Sequence, residues 1–177
     1  MHLRTKNSVI ESVREIVFGL EDSLVSTMGA VTGIAIGTED RMVIILSGLV
    51  ILAVEATSMS AGSFLSTETA ERAEEKSDKV VHQRSIKAAF VMFISYVFGG
   101  MLPLTPYLLL PPDLAILPSV ILAVLALAGV GFWTGRFTKR AGWKTAIEMV
   151  VVSLVAAGIG YLVGWTVSHY FGINTIL

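Results

Sequence analysis

A glutamate and a methionine stand four residues apart in a long apolar stretch of this sequence, and together they could bind a metal ion. Glu55 and Met59 lie in the run LVILAVEATSMSAGSFL, residues 49–65. If the run is helical, Glu55, Met59 and Gly62 share one face, because residues four and seven positions apart lie on the same side of a helix. A carboxylate beside a soft thioether suits a transition metal such as Fe(II) better than Mg²⁺ or Ca²⁺, which prefer oxygen ligands.

A carboxylate in such an apolar setting is costly, about 3 kcal/mol at the centre of a membrane span. A buried carboxylic acid can also hold a proton while no cation is present and release it when a cation arrives. The pattern therefore favours a site that exchanges a metal for protons. The alternative is structural: Met59 fills a packing gap, and a protonated Glu55 hydrogen-bonds a neighbouring helix.

The composition indicates that the segments around this pair cross a lipid bilayer. Of the 177 residues, 54% are hydrophobic and only 15% are charged, and the mean hydropathy is +0.74. Five apolar stretches are long enough to span a membrane, and each must be helical because lipid offers the backbone no hydrogen-bond partner. We therefore predict an all-α, polytopic membrane protein that forms a single membrane domain over residues 1–177. The five predicted spans are 16–37, 43–65, 88–110, 114–135 and 146–171, with an acidic cytoplasmic helix over 66–80.

The basic residues predict the orientation of these spans. If the spans alternate in direction, every Lys and Arg except Arg41 falls on one side of the membrane. Because Lys and Arg accumulate on the cytoplasmic side, the N-terminus is predicted to be cytoplasmic. The polar first fifteen residues do not fit a cleavable signal peptide.

The residue types also argue against enzymatic chemistry. The chain has no Cys, which excludes thiolate metal sites and thiol nucleophiles. Its three His residues are isolated, and no spacing resembles a nucleophile with its base or a phosphate-binding loop. We therefore expect neither an enzyme nor a resident cofactor, and the net charge of -1 gives no case for nucleic acid.

Three further carboxylates fall in or beside the predicted spans. Glu21 and Asp22 lie in the first turns of the first span, so the cost of burying a charge makes them functional candidates as well. Glu148 lies near the start of the fifth span, where a carboxylate at a helix N-terminus is favourable for electrostatic reasons alone. We expect Glu148 at the membrane interface rather than in a site.

The connection between the second and third spans carries four acids that would share one helical face, within about 80° of arc. Such a face could collect metal cations from the cytosol. The alternative is a solvated helix, because two of these acids are followed four positions later by a basic residue. The four acids are Glu68, Glu71, Glu75 and Asp78.

A stripe of glycines follows one face of the first span. Gly29, Gly33 and Gly37 recur every four residues, and small residues at this spacing let two helices approach closely. The stripe is predicted to serve helix packing within the chain, with a dimer seam or an unwound site as the alternatives.

Taken together, these motifs resemble the vacuolar iron transporter (VIT) family. The resemblance rests on FGLEDSLVSTMGAVTGIAIG at residues 18–37 and on SMSAGSFLS at residues 58–66, with GGMLPLTPYLL and AAGIGYLVG in the third and fifth spans. It implies a five-span, dimeric carrier of Fe(II) and often Mn(II) that exchanges metal for protons, with a path lined by the first two spans. Asp22 occupies the place of the family's first-span aspartate and Met59 that of its SM methionine, so both would line the metal path.

The sequence also departs from the pattern of this family. Ser23 stands where Gly commonly follows the Asp, Ser63 stands where Glu is usual in a GEYLS pattern, and many members have a small residue in place of Glu55. Plant and fungal members carry a long acidic metal-collecting domain between the second and third spans. Here the connection is short, so its acids would be a reduced form of that function.

We therefore predict a homodimer, formed through the first and second spans, that exports iron or manganese from the cytosol by proton exchange. Asp22, Glu55 and Met59 would bind the ion in transit, and the partners are divalent metal ions, protons and lipid. The compact chain without a targeting segment suggests a prokaryotic plasma membrane. Two alternatives are a proton-coupled carrier of another solute and a membrane scaffold or sensor that transports nothing.

Overall fold

The computed structural model describes residues 2–38, 40–74, 76–138 and 141–171. Within these ranges all regular structure is helical, which confirms the all-α prediction. Asp40 caps the second helix, because its carboxylate accepts hydrogen bonds from the backbone N–H groups of Met42 and Val43 at 2.7 and 3.2 Å. The helices are α1 (His2–Thr38), α2 (Arg41–Ala73), α3 (Asp78–Leu109), α4 (Pro112–Thr138) and α5 (Gly142–Phe171).

Four of the described helices are long and apolar enough to cross a membrane, judged by length and composition. The first helix is not among them, since its apolar half carries Glu21, Asp22 and several hydroxyl residues. The fold is therefore that of a polytopic membrane protein, and four of the five predicted spans meet the criterion. The four segments are Arg41–Ala73, Asp78–Leu109, Pro112–Gly135 and Gly142–Tyr170.

The bundle is organised around α1, which packs against all four other helices. Leu24, Met28 and Val31 are fully buried along α1 and contribute to its cores with α3, α4 and α5. Large apolar side chains on the outer helices point away from the bundle, as lipid-facing residues do; Leu46 and Leu125 are both 64% exposed. Polar groups on the inner faces of α1 are consequently held inside the bundle.

The glycine stripe lies in a close crossing of α1 and α5. A β-carbon added at Gly33 would lie 2.7 Å from the carbonyl oxygen of Gly160, and one added at Gly29 would lie 3.2 Å from that of Ala156. Side chains at Gly160 and Gly164 would in turn collide with the backbone of α1. The structure thus places the stripe in a seam within one chain, where small residues allow the two backbones to touch.

Two helix boundaries differ from the predicted ones. The first helix begins at His2 rather than near residue 16, and α2 continues past its apolar part to Ala73. The acidic segment predicted as a helix over 66–80 is therefore the end of α2, and Asp78 already belongs to α3. Glu, Ala and Arg are good helix formers, so the end of the apolar run does not end the helix.

Candidate functional site

Glu55 lies at the centre of a hydrogen-bonded cluster that joins three helices. Its Oε2 accepts hydrogen bonds from the Ser26 hydroxyl of α1 at 2.8 Å and from the Tyr96 hydroxyl of α3 at 2.7 Å. The two hydroxyl oxygens are themselves 3.0 Å apart. Tyr96 is fully buried, whereas Glu55 is half-buried on α2, so the carboxylate is firmly held and still accessible from one side.

Asp22 belongs to the same cluster. It lies one helical turn before Ser26 on α1, its carboxylate is within hydrogen-bonding reach of the Tyr96 hydroxyl, and its charge is close enough to repel that of Glu55. A phenol carries a single proton and cannot donate to both carboxylates at once. Two carboxylates around one donor favour the arrival of further positive charge, whether a proton or a metal cation.

Met59 lies next to this cluster and opens onto a cavity. Its side chain packs against the core formed by Leu52, Ala56 and Tyr96. It also lines a cavity of about 380 Å³, together with Glu15 and Met92. The thioether of Met92 is a second soft group beside that of Met59. The structure therefore brings Asp22 and Glu55 together and places Met59 between them and the cavity.

A second carboxylate of α1 stands at this cavity. Glu15 is only 3% exposed, accepts a hydrogen bond from the Ser63 hydroxyl at 2.8 Å and pairs with Arg14 at 2.9 Å. Glu15 and Asp22 are seven residues apart on one face of α1, which corresponds to about 10 Å along the helix axis. The cavity is thus lined by an ion pair, since Arg14 and Glu15 both border it.

No complete metal cage is formed by one copy of the chain. In the part of the chain that the structure describes, no group of three or more His, Asp or Glu residues could hold a metal ion. The interior cluster offers two carboxylates, two hydroxyls and a nearby thioether, which is a partial ligand set for a divalent transition metal.

Sequence reasoning missed four polar or soft residues of this region. Ser26 follows Asp22 by four residues and Glu15 precedes it by seven, so the helical period that joined Glu55 to Met59 would have found both. Tyr96 and Met92 carry no such signal, because their contacts are with residues far away in the sequence.

The predicted acidic face is not formed by the described residues. Glu68 and Asp78 both pair with Arg72, each at 2.9 Å, and Glu75 lies outside the described residues. Glu71 is turned inward instead, at 4% exposure. The predicted single helix to residue 80 was wrong, since α2 ends at Ala73 and α3 begins at Asp78. A metal-collecting role of the four acids stays a prediction.

Glu71 is held by two cations at the junction of α2 and α3. Its carboxylate accepts hydrogen bonds from Arg84 Nη1 at 2.9 Å and Lys76 Nζ at 3.0 Å. Burial acts to raise the pKa of Glu71, but the hydrogen bonds and charges of Lys76 and Arg84 outweigh burial and lower it. This cluster ties the two helices together at the end of the bundle that lies beyond the apolar part of α2.

Replacing Glu71 with glutamine is expected to lower the free energy of unfolding by about 1 to 3 kcal/mol at neutral pH, because the charged contacts of Lys76 and Arg84 with a buried carboxylate are lost. Glu68→Gln, whose partner Arg72 is largely exposed, is the control and should cost less than about 1 kcal/mol. Thermal unfolding in detergent measures both. Equal losses in the two variants would contradict the assigned role of Glu71.

The lowered pKa of Glu71 predicts that its contribution to stability depends on pH. A carboxyl group whose pKa is lower in the folded state stabilises the fold above its unfolded value, here 4.5, and loses that contribution as the pH falls through the folded value. The stability difference between wild type and Glu71→Gln should therefore be complete at pH 7 and shrink below about pH 4.5. A difference that grew on acidification would contradict this.

Membrane-length helices packed around a half-buried pair of carboxylates define a polytopic membrane protein with a polar site among its helices. The sequence profile of the VIT family matches this chain over residues 13–84 and 73–165. The chain therefore belongs to the VIT family, as its motifs predicted.

Several plant proteins are similar to the chain. Vacuolar iron transporter 1 of Arabidopsis thaliana is 32% identical over 88 residues, which cover 49% of this chain and 35% of that protein. Vacuolar iron transporter 1 of Eucalyptus grandis is 34% identical over 80 residues, 45% of this chain and 32% of that protein. The matches to these two relatives thus span about a third of their length.

A third relative matches over most of both chains. The vacuolar iron transporter of Centaurea cyanus is 23% identical over 210 residues, covering 85% of this chain and 86% of that protein. Because this alignment is longer than the chain itself, the relative carries inserted segments. All three relatives are named for the vacuole, so the predicted prokaryotic plasma membrane is not borne out.

Proposed function

We propose that this protein is a transporter that carries Fe(II) or Mn(II) out of the cytosol in exchange for protons. Asp22, Glu55 and Met59 bind the ion in transit. When the ion leaves, the carboxylates take up protons from the far side of the membrane, which resets the carrier. Membership of the VIT family, and relatives named as iron transporters, support a transporter rather than an enzyme.

The observation that carries the proposal is the meeting of two carboxylates around the hydroxyl of Tyr96 in the apolar part of the bundle. A carboxylate in this position costs several kcal/mol unless a proton or cation accompanies it. A divalent cation satisfies both carboxylates at once, and its departure leaves two groups that protons must neutralise. Metal and protons therefore compete for the same oxygens, which is the basis of exchange.

The ion would enter through the cavity beside Glu15 and Met59. This cavity lies toward the end of the bundle where the basic residues of the connections collect, which the positive-inside rule assigns to the cytosol. Thioether groups at Met59 and Met92 favour Fe(II) over Mg²⁺ or Ca²⁺ along this entrance. In this arrangement α1 is a fifth span and the N-terminus is cytoplasmic.

A homodimer through α1 and α2 would complete the ligand set. One copy supplies two carboxylates and one nearby thioether, fewer ligands than a six-coordinate Mn(II) or Fe(II) requires. Glu55 and Asp22 are half-buried, so one side of each remains open to a neighbour. A second copy across this opening would double the groups available to the ion.

The test is metal flux in proteoliposomes with an imposed pH gradient. Wild type is expected to move Fe(II) or Mn(II), and Asp22→Asn and Met59→Ala are expected to slow the flux by roughly tenfold or more, since even outer-shell changes cost metal sites 10- to 100-fold. Matched controls are Asp113→Asn and Met42→Ala, whose side chains are exposed at the other end of the bundle. Both controls should transport at the rate of wild type.

The same assay separates the alternatives. A carrier of another solute would show no metal flux and no competition by Mn(II), and a scaffold or sensor would show no flux of any kind. Undiminished flux in both Asp22→Asn and Met59→Ala would contradict the assignment of these residues to the metal path.

A further inference from the structure

Four buried hydroxyl groups, the hydroxyl line, lie in the half of the bundle between the Tyr96 cluster and the Arg41 end. Thr27 and Thr32 of α1, Tyr107 of α3 and Ser119 of α4 are each at most 3% exposed, although they lie in the apolar part of the protein. The Thr27 hydroxyl faces Gly100, where an added β-carbon would lie 2.8 Å from Thr27 Oγ1. Four hydroxyls on three helices therefore share the interior of this half of the bundle.

Several other hydroxyls of the membrane helices are hydrogen-bonded to the backbone of their own helix. Thr57, Thr105 and Thr166, for example, each donate to the carbonyl four residues earlier at 2.7 to 2.8 Å. The hydroxyls of Thr27, Thr32 and Tyr107 have no well-formed hydrogen-bond partner among the described residues. Thr145 has another buried hydroxyl without such a partner in the described part of the chain. Leaving a buried hydroxyl without a hydrogen bond is energetically costly, so these residues are unfavourable if they only fill space.

The hydroxyl of Tyr107 lies between two others. Thr32 and Ser119 are both near enough to interact with it, and Ser119 Oγ donates to the carbonyl of Pro103 at 2.7 Å. A hydroxyl can donate and accept at the same time, so neighbouring hydroxyls can pass protons along. These three side chains connect α1, α3 and α4 at one level of the bundle.

Prolines add acceptors along the same stretch of α3. Pro103 and Pro106 lie inside the helix and lack an N–H, so the carbonyls of Gly99 and Leu102, four residues before each, lose their helical donor. Ser23 stands against Gly99, since a β-carbon there would collide with its hydroxyl. Two carbonyls of α3 between Tyr96 and Tyr107 thus lack their usual helical N–H donor.

We propose that this hydroxyl line, consisting of Thr27, Thr32, Tyr107 and Ser119, is a proton path separate from the metal entrance. It joins the Asp22–Glu55 pair to the Arg41 end of the bundle, and water can complete it, as water commonly satisfies buried polar groups. Each proton that arrives binds a carboxylate oxygen that the departing metal has left, so the charge of the site is conserved. This proposal rests on the proposed exchange of metal for protons.

The two ends of the path differ in their polar groups. One end holds the carboxylates of Asp22 and Glu55. At the other end, Arg41 donates from Nε to the carbonyl of Tyr107 at 3.0 Å and also to that of Leu108, and Asp40 caps α2. Protons can pass between hydroxyls without a free ion entering, so the path does not need an opening wide enough for a metal cation. The path would therefore admit protons and exclude the transported metal.

The test uses Tyr107→Phe and Thr32→Val, which remove one hydroxyl each while nearly preserving shape. A pH-sensitive dye inside proteoliposomes reports the proton movement that accompanies Mn(II) flux, and Mn(II) binding is measured separately on the protein in detergent. Proton movement and the coupled flux are expected to fall by roughly tenfold or more, the usual effect of removing a proton-transfer group. Mn(II) binding should stay unchanged.

Matched controls are Thr105→Val, whose hydroxyl is bonded to Met101 O, and Tyr161→Phe, whose side chain is exposed on α5. Both should behave as wild type. If Tyr107→Phe does not fold, Thr32→Val carries the test by itself.

The outcomes separate this proposal from the proposed function. If wild type exchanges metal for protons and both path variants match its rates, the proton path is wrong and the function stands. Variants that lose Mn(II) binding in proportion to proton movement would also overturn the path, because the hydroxyls would then support the folded structure of the site and not transfer protons. If wild type moves no metal, the proposed function fails first and the path falls with it.

Discussion

Glu55→Gln is expected to abolish metal transport while leaving the fold intact. Glutamine has nearly the same shape, and its amide oxygen can still accept hydrogen bonds from Ser26 and Tyr96, so the contacts of α1, α2 and α3 remain. What is lost is the negative charge and the capacity to carry a proton. A charge pair at about 4 Å and an effective dielectric constant of about 20 is worth about 4 kcal/mol, so the flux should fall by well over tenfold.

Three measurements make this prediction decisive. The thermal unfolding temperature of Glu55→Gln in detergent should stay near that of wild type, metal flux should vanish, and Glu148→Gln, which neutralises an exposed glutamate of α5, should transport normally. Metal transport by Glu55→Gln at the wild-type rate would show that Glu55 only packs, which is the structural alternative that the sequence left open.

Gly160→Leu is expected to prevent the bundle from closing. A β-carbon at Gly160 would collide with the carbonyl oxygen of Gly29, and because both atoms belong to helix backbones, neither can move without separating α1 from α5. Gly158→Leu is the matched control, since no atom lies within 4 Å of its β-carbon position. Both changes raise helix propensity by about 1 kcal/mol, so the difference between them reports the contact alone.

Size-exclusion profiles and thermal unfolding in detergent measure this second prediction. Gly158→Leu should elute and unfold as wild type does or at a higher temperature, whereas Gly160→Leu should aggregate or unfold at a much lower one. Equal behaviour of the two variants would mean that the α1–α5 crossing does not limit stability.

Much of the fold could be predicted from hydropathy, because lipid forces each apolar stretch into a helix and leaves few other choices. The ends of the helices could not be predicted from hydropathy. Residues 66–73 continue α2 beyond the apolar run, since propensity rather than hydropathy decides where a helix stops in water. Glu71 was predicted on an open acidic face and is buried against Arg84, a partner thirteen residues away across a turn. Such a contact cannot be predicted from the local periodicity of the sequence.

The site was predictable in part for a similar reason. Glu55 and Asp22 stand out because a charged side chain is energetically costly in lipid, and a charged residue within an apolar run can be recognised from a single sequence. Tyr96 does not stand out, since a tyrosine costs little in an apolar helix and gains its importance only from residues on α1 and α2.

The packing of α1 against α5 also sets an order of events in biosynthesis. Gly33 and Gly160 touch in the finished bundle yet lie about 130 residues apart, so at typical rates of about 5 to 20 residues per second a ribosome needs roughly 6 to 26 s to make one after the other. During that interval the glycine face of α1 has no partner from its own chain. The nascent protein therefore depends on lipid, or on the insertion machinery, to cover its central helix until the fifth helix is made.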